Sequence, residues 1–486
     1  MNKISCFLPY AGKEQVEKTV NSLQATGLIE EIRLITTDAT LESLPDCEIL
    51  FVDMPYSSAT LKAIANAAKG EYTLLYTKET TLEMGMFALE RMIHILEDSS
   101  AGMVYADHYQ IADGKQSNAP VIDYQFGSLR DDFNFGSLLL FNTEKLKEAA
   151  GHMKSDYNFA GLYDLRLKLS QHSDLVHINE YLYSEVENDT RKSGEKIFDY
   201  VDPKNRDRQI EMEQACTEHL KEIGGYLAPE FKKIEFSAGN FEYEASVIIP
   251  VRNRIRTIRD AIKSVLMQKT DFKYNLIIID NHSTDGTTEA IDEFKDDERL
   301  IHTVPERNDL GIGGCWNVGV HHPKCGKFAV QLDSDDVYKD ENTLAIMVRA
   351  FYEQNCAMVV GTYMMTDFNM NMIAPGIIDH KEWTPANGRN NALRINGLGA
   401  PRAFYTPVLR EVKVPNTSYG EDYALGLNFS RQYQIGRVYD VVYLCRRWDD
   451  NSDASLDIVK MNGHNLYKDR IRTWELQARI AMNKNK

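Results

Sequence analysis

The sequence has few of the features that mark secreted proteins, membrane-spanning proteins or proteins stabilised by a structural metal ion. Its seven cysteines are scattered through 486 residues and form no C-x-x-C pair, so neither a zinc site nor a disulfide framework is indicated. No apolar run approaches the length of a membrane span, and the first ten residues lack the apolar segment of a signal peptide. We therefore expect a cytoplasmic protein.

Positive charge is also scarce. The 55 basic and 72 acidic side chains give a net charge of −17, which argues against a protein that coats nucleic acid. The hydrophobic share of 43% and the charged share of 26% are those of an ordinary globular chain. Its length favours roughly two to four domains.

The first half of the chain alternates strand-like and helix-like segments. Short apolar runs bounded by turn signals are separated by apolar residues at helical spacing, such as Val16, Val20 and Leu23. This alternation predicts the α/β class with mostly parallel sheets. The predicted strands cover residues 4–9, 32–35, 49–52 and 70–76.

The same order of signals recurs from residue 245. The segment 246–250 (Ser-Val-Ile-Ile-Pro) matches 5–9 (Ser-Cys-Phe-Leu-Pro), and Gly-Lys-Phe at 326–328 parallels Gly-Glu-Tyr at 70–72. We therefore predict a tandem repeat of one Rossmann-like domain type, with a linker between the copies. The predicted domains are residues 1–235 and 243–486.

Two further segments invite interpretation. Residues 188–208 are polar and charged, which predicts a surface loop or helix of the first domain.

The tail from Ile458 to Lys486 is basic, with apolar residues at helical spacing. It reads either as a helix packed on its own domain or as a peripheral contact with an anionic membrane at its inner face; we expect packing.

An acidic tetrapeptide, Asp333-Ser334-Asp335-Asp336, follows the strand-like run 327–332. Three carboxylates so close together repel one another unless a cation lies among them, and oxygen-rich sites of this kind suit Mg²⁺ or Mn²⁺. The alternative is a loop cap, since Asp and Ser are common where a strand turns into a helix.

Polar residues also follow two other predicted strands, at 250–254 and 280–287, and a glycine-rich helix entry lies at 311–319. Ligands of open α/β sheets bind outside the carboxyl ends of the strands. The glycines would let the backbone approach a phosphate or a ribose.

With these motifs in order, residues 245–450 resemble the nucleotide-sugar-dependent glycosyltransferases of family 2, which have a GT-A fold. The resemblance implies inverting transfer of a sugar from a nucleoside-diphosphate sugar, UDP-linked in our expectation, to the hydroxyl of a glycan or lipid-linked glycan, as in surface polysaccharide synthesis. It also implies Mn²⁺ or Mg²⁺ as cofactor. Nucleic acid is not an expected partner.

The resemblance assigns roles to individual residues. The donor would contact Pro250, Asn253, Arg254, Asp280, Asn281, Gly311, Asn317, Asp333 and Ser334. The metal would bind Asp335 and Asp333, and Asp422 would be the catalytic base that deprotonates the acceptor. The acceptor or the diphosphate would meet Glu421, Arg402, Arg447 and Trp448.

One departure from the family concerns Trp448, which stands where such proteins often have a histidine. Tryptophan does not ligate metal, but it stacks under sugar rings, and Arg446 or Arg447 would then meet the diphosphate.

The first half keeps the strand that precedes the acidic motif but loses the acids. Residues 77–80 (Thr-Lys-Glu-Thr) align with 333–336, and Leu162 falls where Asp422 stands. This predicts a degenerate copy, retained for packing, acceptor binding or assembly. The rival interpretation is a second active site that uses Asp107 or Asp164.

Two other functions stay open for the whole chain. One is a catalytically silent scaffold that binds glycan or nucleotide, against which the intact Asp335 and Asp422 argue. The other is a sugar nucleotidyltransferase, which needs a glycine-containing loop after its first strand, whereas residues 250–254 contain no glycine.

Overall fold

The structure, a computed structural model, describes residues 3–42, 44–186, 206–237, 239–381, 383–448, 451 and 456–485. The predicted surface segment 188–208 lies outside the described residues except for its last three, which begin a helix. The chain forms two compact units. The first is built from the described residues of Met1–Lys196, Asn205–Gly225 and Leu456–Thr473, and the second from those of Tyr226–Ser455 and Trp474–Lys486.

The first unit is a sheet covered by helices on both faces. Its strands are β1 Ile4–Pro9, β2 Ile29–Thr36, β3 Glu48–Phe51, β4 Tyr72–Tyr76, β5 Leu82–Met84, β6 Met103–Ala112, β7 Lys115–Ala119, β8 Leu138–Asn142 and β9 Leu175–Val186. Its helices are α1 Lys13–Gln24, α2 Ser58–Ala67, α3 Ala88–Asp98, α4 Thr143–His152, α5 Gly161–Ser170 and α6 Arg206–Glu222.

The strand order in this sheet is β3-β2-β1-β4-β8-β6-β9-β5, with β7 paired to β6. Strands β1 to β4 are parallel, and β8 runs antiparallel between β4 and β6. Because side chains alternate along a strand, Cys6 and Leu8 pack with α1 and α3, whereas Phe7 packs with α2, α4 and α5. Apolar residues on both faces of the strands are what a doubly covered sheet requires.

The second unit repeats this architecture. Its strands are β10 Ala245–Val251, β11 Tyr274–Asp280, β12 Leu300–Thr303, β13 Phe328–Gln331, β14 Val337–Tyr338, β15 Met358–Thr366, β16 Met372–Ile378, β17 Arg402–Tyr405 and β18 Ile435–Arg446. Its helices are α7 Ile258–Leu266, α8 Thr287–Asp292, α9 Ile312–His321, α10 Thr343–Gln354, α11 Gly388–Asn391, α12 Thr406–Val412 and α13 Glu421–Gln432.

The order of the second sheet is β12-β11-β10-β13-β17-β15-β18-β14, with β16 paired to β15. Every strand therefore has a counterpart in the first sheet, with the same neighbours and the same pairing sense. Strands β10, β11, β12 and β13 are parallel, and Val251 stands opposite Asp280 in the register that also pairs Pro250 with Ile279. The predicted α/β class with mostly parallel sheets is confirmed.

The C-terminal helix α14, Ile458–Lys484, contributes to both units. In the first unit, Gly127 N donates to Thr473 Oγ1 (2.9 Å) and Ser128 Oγ donates to Asp469 Oδ2 (2.9 Å). In the second unit, Arg479 Nε donates to Glu475 Oε1 (2.7 Å).

Much of the positive charge of α14 is inside the protein. Lys468, Arg472 and Arg479 are all buried, and so are the apolar Ile471 and Leu476. The segment packs as predicted, but its residues up to Thr473 belong to the first unit and not to the predicted domain 243–486. Within the described part of the chain, no helix has the length and hydropathy needed to span a membrane.

Candidate functional site

The turns that follow β10 and β11 are fastened to each other. Asn253, in the left-handed region at φ 54°, accepts the Thr284 amide N–H on its side-chain oxygen (2.8 Å), and its own N–H donates to Ser283 Oγ (3.0 Å). The next residue, Arg254, donates its N–H to Thr287 Oγ1 (2.8 Å). The two predicted donor-binding turns therefore form one rigid edge.

Asp280 is fully buried at the end of β11. Its Oδ1 accepts the Ser283 N–H (3.0 Å), and its Oδ2 accepts the Thr288 hydroxyl (2.5 Å) and lies 3.5 Å from His302 Nε2. Burial alone would raise the pKa of Asp280, but these three partners hold that pKa well below its ordinary range. Asp280 is thus a permanent anion that orders its own turn.

Asn281 is oriented by one hydrogen bond. Its Nδ2 donates to the Leu310 carbonyl (2.8 Å), which fixes the amide so that Oδ1 is the free end. Oδ1 is buried and has no hydrogen-bond partner among the described residues. A buried acceptor without a donor is costly, so this atom is suited to an incoming N–H.

The glycine-rich segment has a packing role that was not predicted. A Cβ on Gly311 would come 2.7 Å from the Thr417 carbonyl carbon, and one on Gly313 would come 1.8 Å from the Pro415 oxygen. These glycines therefore admit the backbone of 415–418 against α9, and the expected approach of a phosphate or a ribose stays a prediction.

Asn317, one turn into α9, belongs to the same contact. Its Nδ2 donates to the Val414 carbonyl (2.6 Å), and its Oδ1 accepts the Val414 N–H (3.0 Å). A contact of the Asn317 side chain with the nucleotide-sugar donor would have to break these two hydrogen bonds to Val414.

The acidic tetrapeptide is held by partners from two strands, β13 and β18. Asp333 Oδ1 accepts from Gln331 Nε2 (2.8 Å), and the Asp333 N–H donates to the Tyr443 hydroxyl (3.1 Å). Asp336 Oδ1 accepts the Arg446 N–H (2.7 Å). These bonds fix Asp333 and Asp336 against β18.

Asp335 is partly exposed, with 15% of its side chain accessible, and Asp333 is partly exposed as well. Asp335 Oδ2 lies 3.2 Å from Asn451 Nδ2 and 3.6 Å from Arg254 Nε. Ser334 is buried, and its carbonyl accepts the Thr257 hydroxyl (2.9 Å). The loop thus presents the Asp335 carboxylate beside the edge that carries Arg254.

Electrostatics in this loop favour a bound cation. Burial, together with the charges of Asp335 and Asp333, raises the pKa of Asp336 well above its ordinary range. Burial also raises the pKa of Asp333, against the opposing charge of Arg402. A divalent cation beside Asp335 would relieve this repulsion.

A complete protein shell for such a cation is absent from the described part of the chain, where no group of three or more His, Cys, Asp or Glu side chains is arranged to hold a metal. The residues present fit an ion that keeps water or phosphate oxygens as further ligands, which is the habit of Mg²⁺ and Mn²⁺.

Arg402 connects the acidic loop with the predicted base. Its Nη1 lies 2.6 Å from Asp422 Oδ2 and donates to the Gly399 carbonyl (2.7 Å). Its backbone N–H donates to Gln331 Oε1 (3.1 Å), and the amide of Gln331 in turn bonds Asp333. Asp422, Arg402, Gln331 and Asp333 therefore form one connected group.

Glu421 begins α13 directly before Asp422. Burial, then the charge of Asp422, raises the pKa of Glu421 to about 8. Its Oε2 is buried and has no hydrogen-bond partner within the described ranges. At neutral pH Glu421 is therefore mostly protonated, so the pair carries one negative charge.

Trp448 is engaged within the protein. Its ring lies 5.4 Å from Phe368 and 4.8 Å from the Arg256 guanidinium, and its backbone N–H donates to Asn451 Oδ1 (2.6 Å). Asn451 is the residue that contacts Asp335, so Trp448 borders the acidic loop.

The two arginines before Trp448 are placed differently. Arg446 is buried, with its Nη2 3.1 Å from Asp260 Oδ2. That placement turns its guanidinium away from the predicted role beside a diphosphate. Arg447 pairs through its N–H with the Thr366 carbonyl (2.8 Å), which leaves its predicted role a prediction.

The corresponding loop of the first unit holds a lysine. Lys78 Nζ lies 2.7 Å from Glu185 Oε1, and His108 Nε2 lies 3.1 Å from the same oxygen. Burial alone would raise the pKa of Glu185, but His108 and Lys78 lower it to about 2. A fixed ammonium therefore lies where the second unit has its acids.

The two acids of the rival interpretation are interior residues. Asp107 Oδ1 accepts the Val121 N–H and lies 2.8 Å from His177 Nε2. Asp164 is fully buried, and burial raises its pKa to about 6. Neither carboxylate is presented to solvent.

Three residues of the site were not predicted. Gln331, Tyr443 and Asn451 hold the acidic loop through the hydrogen bonds given above. The sequence marks Gln331 in one way, because it is a polar residue near the end of an otherwise apolar run. For Tyr443 and Asn451 nothing in the local sequence distinguishes them from their neighbours.

Part of the chain is similar to known proteins. The profile described as glycosyl transferase family 2 matches residues 246–403. An uncharacterized glycosyltransferase of Rickettsia felis is 39% identical over 198 residues, which is 40% of this chain and 31% of that protein. The chain thus spans less than a third of the length of that relative.

Two further matches cover more of their own length. The UDP-Glc:alpha-D-GlcNAc-diphosphoundecaprenol beta-1,3-glucosyltransferase WfgD of Escherichia coli is 24% identical over 50% of this chain and 88% of its own. The mannosyltransferase PcManGT of Pyrobaculum calidifontis, solved with GDP-Man and Mn²⁺, is 15% identical over 56% of this chain and 82% of its own, with a TM-score of 0.34.

Proposed function

Residues 246–403 form a glycosyl transferase family 2 domain, and from that premise we propose that the chain transfers a sugar from a UDP-sugar to a hydroxyl of a lipid-linked glycan, with inversion at the anomeric carbon. The observation that carries the proposal is the connected group Asp422–Arg402–Gln331–Asp333, which joins a carboxylate base to an acidic loop suited to a cation.

On the donor side, the chain supplies a rigid edge and an outward carboxylate. Asn281 offers a buried acceptor, which a base with a ring N–H, such as uracil, would satisfy. Asp335 and Asp333 would hold the divalent cation, which when bound offsets the negative charge that grows on the departing diphosphate. Arg254, 3.6 Å from Asp335, adds a fixed positive charge at the same place.

On the acceptor side, Asp422 would take the proton of the attacking hydroxyl. That hydroxyl is a poor nucleophile at neutral pH and needs a base within hydrogen-bond reach. Arg402 Nη1 lies 2.6 Å from Asp422 Oδ2 and so orients the carboxylate. Because Glu421 is protonated, it adds no negative charge beside Asp422.

The proposal of a lipid-linked acceptor is based on the names of two relatives. The name of the E. coli relative gives a diphosphoundecaprenol-linked GlcNAc as its acceptor and UDP-Glc as its donor, and a Campylobacter jejuni relative is likewise named as acting on an undecaprenol-linked glycan. The same chemistry in this chain would belong to polysaccharide assembly.

The test is turnover of UDP-glucose and UDP-N-acetylglucosamine with Mn²⁺ and an undecaprenyl-diphosphate-linked GlcNAc acceptor. Asp422→Asn should lower kcat by about 10²–10⁴-fold, the usual contribution of a general base. It should leave the Kd for UDP within about threefold, because the ion-pair partner of Asp422 is Arg402 of β17 and not a residue of the base-binding turns.

The matched control is Asp440→Asn, an exposed acid on β18, which should change neither quantity. Binding of UDP without metal-stimulated turnover of either donor would support the silent scaffold instead. Full activity of Asp422→Asn would exclude Asp422 as the base.

A further inference from the structure

The first unit contains a cavity that the proposed reaction does not use. Its volume is ≈ 230 Å³, and five of its eleven lining residues are aromatic: Tyr56, Phe133, Phe135, Phe159 and Tyr163. Pockets for drug-sized ligands measure roughly 300–1,000 Å³, so this cavity suits a ligand of about one six-membered ring.

The aromatic wall is held in place by one cation. The Arg166 guanidinium lies 4.7 Å from the Tyr163 ring centroid, 5.4 Å from that of Phe135 and 5.8 Å from that of Phe133. Its Nη1 and Nη2 donate to the carbonyls of Ser128 (2.9 Å) and Arg130 (2.6 Å). The rings are therefore ordered before any ligand arrives, which lowers the entropic cost of binding.

The cavity also has polar groups and an open side. Asp131 and Arg208 contribute to the lining, and Arg208 is exposed on α6. Phe159 is 40% exposed, although a phenylalanine of the core would be buried. An exposed ring beside a carboxylate and a guanidinium suits a ligand with one apolar face and several hydroxyls.

The position of the cavity matches the acceptor end of the second unit. Leu162 lines it, and Leu162 precedes Leu175 of β9 by the same interval at which Asp422 precedes Ile435 of β18. Leu175 pairs with Met103 and Ile435 pairs with Met358 at equivalent points of the two sheets. A leucine accepts no proton, so a ligand held there is bound without reacting.

We propose that this aromatic cavity binds a hexopyranose unit of the glycan on which the second unit acts. The C–H face of the sugar ring would lie against the aromatic side chains, and its hydroxyls would bond Arg208 and Asp131. The identity of the glycan rests on the proposed function, whereas binding of a pyranose in the first unit does not.

The test uses the full chain and saturation-transfer NMR with methyl glycosides of glucose, galactose and N-acetylglucosamine. At least one glycoside should bind, and Phe159→Ala and Arg208→Ala should each weaken its binding at least threefold. Phe126→Ala is the matched control, because Phe126 is 44% exposed in the same unit and lies outside the cavity lining.

A second arm separates this site from the reaction. Glycoside binding should persist with saturating UDP and in Asp422→Asn, and Phe159→Ala should raise the KM for the glycan acceptor while kcat and the Kd for UDP stay constant. The proposal is overturned if no glycoside binds, or if binding is equal in Phe159→Ala, Arg208→Ala and Phe126→Ala. If the unmodified protein turns over none of the donors but still binds a glycoside in this cavity, the proposed function alone is overturned.

Discussion

At the scale of single residues, the site depends on side chains that serve two partners at once. Gln331 bonds Asp333 through its amide nitrogen and the backbone of Arg402 through its oxygen. Arg402 in turn holds Asp422 and the Gly399 carbonyl through one nitrogen. Each residue fixes two elements, so replacing one disturbs both ends of the site.

Arg402→Gln should therefore lower kcat at least tenfold, because Asp422 loses the partner that orients it. The free energy of unfolding should fall by about 1–3 kcal/mol, as when a largely buried ion pair loses one member. Steady-state kinetics and urea unfolding measure the two effects, and Arg402→Lys should recover part of the lost kcat.

The control for this change is Arg259→Gln, which breaks the exposed pair with Glu293. Surface pairs contribute about 0–1 kcal/mol, so its kinetics should be those of the unmodified protein. An Arg402→Gln variant with unchanged kcat would show that Asp422 needs no orientation from Arg402.

Glu421 should give the protein a pH-dependent stability. Its pKa is raised to about 8 in the folded protein from roughly 4.3 in the unfolded chain, so the folded state binds the extra proton between these values. The contribution of Glu421 to the free energy of unfolding is fully present below the pKa of the unfolded chain and is lost as pH rises through the pKa of the folded protein. The free energy of unfolding falls in this window by at most about 1.4 kcal/mol per pH unit.

Glu421→Gln removes that dependence. The Tm of the variant relative to the unmodified protein should therefore rise steadily from pH 5 to pH 8, as followed by thermal unfolding at each pH. A difference in Tm that does not change with pH would contradict the raised pKa.

At the scale of elements, glycines decide how closely α9 approaches segment 415–418. A Cβ on Gly313 would overlap the Pro415 oxygen, and backbone on both sides leaves no side chain to move aside. Gly313→Ala should therefore lower Tm by several degrees, since about 1 kcal/mol corresponds to roughly 2–4 °C in a domain of this size.

Gly463, within α14, is the matched control, because a Cβ there would meet nothing within 4 Å. Gly463→Ala should raise stability by about 0.5–1 kcal/mol through better helix propensity. Equal effects of the two substitutions on Tm would rule out the close approach.

The elements and the site differ in how well the sequence predicts them. Short continuous apolar runs predicted strands such as β1, β11 and β13, because burial on both faces leaves an uninterrupted apolar pattern. The acidic loop was also evident locally. The bond from Asn451 to Asp335 and the pairing of Arg402 with Asp422 were not, because they join segments distant in the chain. The packing role of Gly311 and Gly313 was not predicted, because close backbone packing and phosphate binding require the same residue.

At the scale of the whole molecule, two sheets of one topology differ in the loop that follows their fourth parallel strand. Lys78 and Glu185 form an ion pair where the second unit has its acids. We therefore expect one Mn²⁺ per chain in the presence of UDP, measured by electron paramagnetic resonance titration. Asp335→Asn should abolish that binding and Glu79→Gln should leave it intact, whereas loss of metal in Glu79→Gln would place a second metal site in the first unit.

Helix α14 gives the molecule an unusual order of assembly. The segment Leu456–Thr473, most of which lies in α14, completes the first unit, where Thr473 and Asp469 receive the hydrogen bonds of Gly127 and Ser128. During translation this segment follows residues 226–455, which form most of the second unit. Domains made first usually fold first, but here the first unit is completed only by a segment that is made after those residues.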